Sequence, residues 1–363
     1  MTRVGVLGGS GTVGRVVVER LAGWEIGPLR VGGRDRDRAA EACEAASGVP
    51  AEPFRVDLDD DAALRDFCTG CDIVVNCAGP SYRVLDRVAR AALAGGAHYV
   101  DAAGDLVAID ALTGGGATGL DHLGLDRRAA VFSAGLMPGL SGLLPRLLAA
   151  DGPLARLDVY VGGAAAIGPL SAVDALLTRG PRFGTALAAW RAGRIVPGAL
   201  RPLRSVALPG FRDRVHAWPF LSTEMSRLAA ELGVGELRNY TVYVTEAIPE
   251  ALARAWADDE AALDEHVPAV VTAADTDLAA TGPYYAMLFQ AVPRDPAPGR
   301  PRRVLLRTPD SYALSGAVAA LTARELSAGA IPPGAHLACD VLSPSRTLAA
   351  MRGDPLVTGV ELT

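Results

Sequence analysis

The 363-residue chain contains no lysine, so all 35 residues counted as Lys+Arg are arginines. That absence removes Schiff-base catalysis, which needs a lysine amine as nucleophile. Aromatic residues are scarce at 5%, which disfavours platforms for stacking bases, and a net charge of −6 disfavours nucleic acid or an anionic membrane as main partner. No run approaches the ~18 uninterrupted apolar residues of a membrane span, and the apolar run at residues 4–7 is too short for a secretory leader. The five cysteines are too few for a disulfide scaffold in a chain of this size and fit a reducing cytoplasm. The histidines at 98, 122, 216, 266 and 336 form neither H-x-x-x-H nor H-E-x-x-H, so no metal site is expected.

What is present is a hydrophobic half: 50% of the residues, enough for a large core and about two domains. Up to residue 135, short β-branched runs alternate with helical stretches. Strands are expected at 3–7, 29–31, 51–56, 72–76, 98–100 and 130–133, with helices at 11–22, 36–46, 60–68, 82–94 and 121–128. Asp60 and Ser81 stand where N-caps belong, and Gly95-Gly96 closes a helix. Such alternation predicts a doubly wound parallel sheet with helices on both faces.

Residues 136–307 read differently. Strands are expected at 157–161, 240–244, 284–293 and 302–306, the last two joined by a hairpin loop holding Pro296, Pro298 and Pro301. A helix is expected at 251–262. Residues 179–219, rich in Arg, Pro and Gly, read as loops wrapping a pocket, with His216 a candidate pocket residue. Asp310 stands before a long apolar helix, 311–327, that ends near Gly329.

One motif carries chemistry. The first strand runs into Gly8 and then Gly9-Ser10-Gly11-Thr12-Val13-Gly14, a G-x-G-x-x-G between strand and helix. Its glycines permit a tight turn, close approach to a pyrophosphate and close helix–strand packing, and the helix N-terminus faces the phosphate charge. The second strand ends Val31-Gly32-Gly33-Arg34-Asp35. NAD sites place a carboxylate at the strand end for the ribose hydroxyl; here glycine and then Arg34 fill that place, and a guanidinium suits the extra phosphate of NADP. NADP is therefore the expected cofactor, with Asp35 keeping NAD open. Asp57 and Leu58 are expected to flank the adenine, and Cys77, Ala78, Gly79 and Pro80 to approach the cofactor ribose. Cys68-Thr69-Gly70-Cys71 is a C-x-x-C, read here as small residues at a tight helix–strand turn.

At Asn76-Cys77-Ala78-Gly79 the chain is similar to short-chain dehydrogenases, but their Tyr-x-x-x-Lys pair is impossible without lysine. A broader set of blocks resembles the saccharopine dehydrogenase-like family: residues 8–14, 31–34, 72–80, 97–101 and 134–141, with Ser311-Tyr312, Thr322-Ala323 and Gly329 near the end. These cover residues 1–145 well and the last ~55 loosely. The resemblance implies an α/β fold: a Rossmann domain, 1–135 plus about 308–363, with an inserted α+β domain, 136–307, for substrate binding and oligomerisation, expected as a homodimer. It implies NADP(H)-dependent reduction of a small-molecule C=N, C=O or activated C=C bond. The Lys/His acid–base pair of the lysine-forming saccharopine dehydrogenases is excluded. Asp101 and Tyr82 are the candidate proton-handling residues, Ala102 a cofactor contact, and Met137 a wall for the nicotinamide. A cofactor-binding sensor without catalysis is the competing reading, and the arginine-rich stretch 179–219 favours an enzyme.

Overall fold

The structure is a computed structural model that describes residues 1–114, 123–295 and 302–363. Its strands, in chain order, are β1 (Val4–Leu7), β2 (Leu29–Gly33), β3 (Ala51–Arg55), β4 (Ile73–Asn76), β5 (His98–Asp101), β6 (Ala129–Phe132), β7 (Leu154–Ala164), β8 (Gly184–Ala186) and β9 (Ala189–Arg191). There follow β10 (Arg194–Val196), β11 (Leu203–Ala207), β12 (Arg214–Ser222), β13 (Glu236–Tyr243), β14 (Tyr284–Pro293), β15 (Arg303–Thr308), β16 (Gly334–Leu337) and β17 (Gly359–Leu362). The chain divides into two units, Met1–Leu140 with Tyr312–Thr347, and Ser141–Ser311 with Leu348–Thr363.

The first unit holds a seven-stranded parallel sheet in the order β16-β6-β5-β4-β1-β2-β3. β1, β4 and β6 are buried along their whole length, as expected of strands covered on both faces. Phe67, on the helix Asp61–Cys68, is fully buried against this sheet, a burial that contributes about 1.5–3 kcal/mol. Asp60 caps that helix as expected, accepting the N–H groups of Ala62 and Ala63. The helix Ser311–Ser327 brings Gly316 against Val13 and Val16 of the helix Thr12–Gly23, and Arg324 sits 4.3 Å over the Trp24 ring.

Several expectations change. The helix expected at 82–94 is two, Ser81–Val84 and Arg87–Ala94, broken at Leu85 with φ of 49°. Ser81 is not a cap; its hydroxyl accepts the Gly104 N–H instead. Of the helix expected at 121–128, Asp121 and His122 lie outside the described residues, and the rest forms turns in which Arg127 and Arg128 donate to the Gly124 carbonyl. Helix Leu106–Thr113 and strand β16 were not foreseen. Residues 348–363, expected with the Rossmann domain, group with the second unit, because β17 pairs with β15.

The second unit is a mixed sheet, β10-β9-β13-β7-β14-β15-β17, extended by β12, β11 and β8. Helices Pro169–Leu177, Ala247–Ala257 and Val267–Thr281 pack together around Leu176, Leu252 and Val270. The loops expected at 179–219 are β8 to β12. Pro296, Pro298 and Pro301 lie outside the described residues.

Candidate dinucleotide site

The loop after β1 is shaped by two glycines. Gly8 has φ of 74°, and a Cβ there would lie 2.9 Å from the Ala78 nitrogen. A Cβ on Gly14 would lie 2.3 Å from the Gly8 carbonyl oxygen. The loop therefore closes tightly over the end of β4, with the Gly11 N–H bonded to Gly8 O at 3.0 Å. Helix Thr12–Gly23 begins at Gly11 with no side-chain cap and no acidic residue in its first turn. Its first N–H groups and the positive end of its dipole face outward, with Gly11 and Thr12 exposed and Ser10 and Val13 half-buried. A pyrophosphate is the ligand that such an end accepts.

At the end of β2, the Asp35 carboxylate caps the next helix, accepting N–H groups from Asp37 at 3.0 Å and Arg38 at 3.2 Å. Both bonds engage its Oδ1. Arg34 beside it is exposed, and among the described residues its guanidinium has neither a hydrogen bond nor an ion pair. Arg34 puts a cationic donor at this strand end, which fits a 2′-phosphate. After β3, Asp57 turns its carboxylate to the Asp59 N–H at 3.1 Å, and the Leu58 carbonyl accepts from Arg87 at 2.9 Å.

The ends of β4, β5 and β6 are bound together by side chains. Asn76 accepts the Ala78 N–H at 3.1 Å, fixing the Cys77-Ala78-Gly79-Pro80 segment, and donates to Asp101 Oδ2 at 3.3 Å. Ala102 N–H bonds the Asn76 carbonyl at 3.1 Å. Asp101 is buried at 3% exposure. It also accepts from Tyr99 at 2.5 Å and from the Ala103 N–H at 2.9 Å. Burial, and then the neighbouring Asp101 charge, hold the Tyr99 phenol well above its usual range, so it stays a donor. Ser133 donates to the Gly104 carbonyl at 2.8 Å. Tyr82, half-buried, donates to Asp105 Oδ2 at 2.9 Å, and Asp105 in turn caps helix Leu106–Thr113 through the Val107 N–H. Met137 is 45% exposed. Sequence reasoning read Ser81 only as a cap and missed Asp105 and Ser133; small polar residues after strands share their signal with ordinary caps.

In the second unit, His216 Nδ1 lies 3.7 Å from Glu246 Oε1. The five cysteines are free, and Cys68 and Cys71 are buried. Among the described residues no cluster of three His, Cys, Asp or Glu side chains is arranged for a metal, and no helix is long and apolar enough to cross a membrane.

Residues 4–114 match the family described as the saccharopine dehydrogenase NADP binding domain. No curated protein matches the sequence. Among solved structures, the chain is similar to apo histidine-tagged saccharopine dehydrogenase (L-Glu forming) from Saccharomyces cerevisiae, at 15% identity over 100% of both chains with a TM-score of 0.67. It also matches scyllo-inositol dehydrogenase from Lactobacillus casei at 10% identity, over 91% of this chain and 88% of that one, with a TM-score of 0.46. Uronate dehydrogenase from Agrobacterium tumefaciens matches at 28% identity over 28% of this chain and 41% of that one, TM-score 0.23. The yeast structure shows a shared fold along the whole chain. Residues 4–114, with the glycine cradle, thus match an NADP binding domain of the saccharopine dehydrogenase kind, which supports an NADP(H)-dependent oxidoreductase.

Proposed function

We propose that the protein reduces a C=N bond of a small biosynthetic substrate. The observation that carries this reading is the state of the two candidate acids. The Asp101 carboxylate accepts hydrogen bonds inside the fold from Asn76, Tyr99 and the Ala103 N–H, and the Tyr82 hydroxyl donates to Asp105. Lysine is absent from the chain. A ketone would need a proton for the developing alkoxide. An iminium arrives already protonated and becomes a neutral amine when hydride adds to its carbon, so no acid is needed in that step. NADPH, when bound, supplies the hydride. The role of the chain is then to hold the pyrophosphate at Gly9–Gly14 and the 2′-phosphate at Arg34, with Cys77–Pro80, Ala102 and Met137 along the ribose and nicotinamide.

In this reading the second unit binds the substrate and forms a homodimer, which sedimentation at graded concentrations tests. The free thiols fit the cytoplasm. The main test follows NADPH consumption against a panel of imines, ketones and enoyl compounds. Turnover of imines supports the proposal. Turnover confined to ketones or enoyl compounds, or cofactor binding with no turnover on any of the three, overturns it.

A further inference from the structure

One face of the second sheet carries a cleft of about 460 Å³ whose lining includes Arg156, Asp158, Gln290, Arg302 and Arg303. That volume is in the range of metabolite sites. Strand register builds it. Arg238, Asp158, Gln290 and Arg303 are consecutive cross-strand neighbours on β13, β7, β14 and β15. Neighbouring strands lie about 4.8 Å apart, so the row forms a continuous polar band.

The charge along this band is unbalanced, although the chain as a whole is at −6. Each carboxylate is shared by two guanidinium groups. Asp158 lies 2.9 Å from Arg156 and 3.8 Å from Arg238. Glu236 pairs with Arg191 and Arg238, both at 2.8 Å. Glu361 pairs with Arg303 at 3.2 Å and Arg307 at 3.3 Å. Arg302 is exposed, and its guanidinium has no partner among the described residues. Among the described residues, the Nε atoms of Arg303 and Arg238 and the Oδ1 of Asp158 are buried without a hydrogen-bond partner. A buried donor left unmade is costly, about 1–3 kcal/mol. An oxyanion in the cleft would meet the exposed Arg302 and the half-exposed Arg156, and guanidinium forks match carboxylate and phosphate oxygens in pairs.

We propose that this cleft, outside the dinucleotide site, binds a small multiply charged oxyanion, a polycarboxylate or a phosphate ester, held by Arg156, Arg302 and Arg303. The test uses the full chain with saturating NADPH, so that added anions do not report on Arg34. Citrate and pyrophosphate are titrated separately at constant ionic strength against sodium chloride, following Tm and heat of binding. The expected result is saturable stabilisation by at least one of them, and the arm that binds identifies carboxylate or phosphate. Arg156→Gln and Arg302→Gln should each weaken it roughly tenfold, the loss of one charge-assisted hydrogen bond. Arg254→Gln, on an exposed helix position of the same unit, should leave it unchanged. Arg302→Gln removes no contact within the described fold, so it separates binding from folding. No response beyond chloride, or equal responses from all variants, overturns the proposal. So does a wild-type dimer that Arg302→Gln dissociates with no change in anion affinity, which would make the face a contact between copies.

Discussion

The Tyr99 hydroxyl donates to Asp101 Oδ2 at 2.5 Å, beneath the ends of β4 and β5. The pair is buried, and Asn76 and the Ala103 N–H also donate to the same carboxylate. Asp101 thereby fixes the backbone at the ends of β4 and β5. Asp101→Asn should lower folding stability by about 1–3 kcal/mol, because Tyr99 and Asn76 lose a charged acceptor. Denaturant melts check this. Unchanged stability with abolished turnover would instead make Asp101 a participant in the chemistry.

Gly14→Ala places a methyl group 2.3 Å from the Gly8 carbonyl and must push the loop away from β4. NADPH affinity should fall tenfold or more, on the order of 1.4 kcal/mol or above. Gly23→Ala, near the end of the same helix with nothing within 4 Å of the new Cβ, should leave affinity alone and add about 0.5–1 kcal/mol of stability. Titration by cofactor fluorescence, beside a thermal melt, compares the two.

His98 Nδ1 accepts the Ala129 N–H at 3.0 Å, an arrangement only the neutral ring can make. Burial, then the charge of Arg128, lower its pKa below the ordinary 6.5. A lowered value means that the unfolded chain takes up the proton first. Stability is therefore full above pH 6.5 and declines as pH falls below it towards the folded value. His98→Gln should flatten that part of the stability–pH profile. An identical profile in both proteins would contradict the assignment.

Burial, then the neighbouring Cys71, push the Cys68 thiol up to about 12. Neither cysteine of the C-x-x-C should react with a thiol reagent in the folded protein at neutral pH, and both should react after unfolding. Mass spectrometry of the labelled chain reads this out. Rapid labelling of Cys68 in the native state would revive a redox role.

The central strands of the N-terminal half were legible because parallel strands covered on both faces read as continuous apolar runs, as at Ile73–Asn76. The cradle was legible for a similar reason: only glycine tolerates the geometry at Gly8 and Gly14. β10 and β11 escaped, since Arg194–Val196 and Leu203–Ala207 are largely exposed and alternate no apolar face. The break at Leu85 was invisible because the sequence keeps helical periodicity through it. The return of residues 348–363 to the second sheet rests on β17 pairing with β15, a contact across more than 50 residues that no local pattern encodes. At the site, the use of Asp35 Oδ1 as a helix cap was what sequence could not decide.

The most direct test is a paired titration of NADPH and NADH into the wild-type protein and Arg34→Ala. In the proposed reading Arg34 holds the 2′-phosphate, so the variant should lose about tenfold or more in NADPH affinity, the worth of a charge-assisted contact. NADH affinity should stay where it was. An equal loss for both cofactors, or none for either, would contradict a dinucleotide site selected for NADP by Arg34.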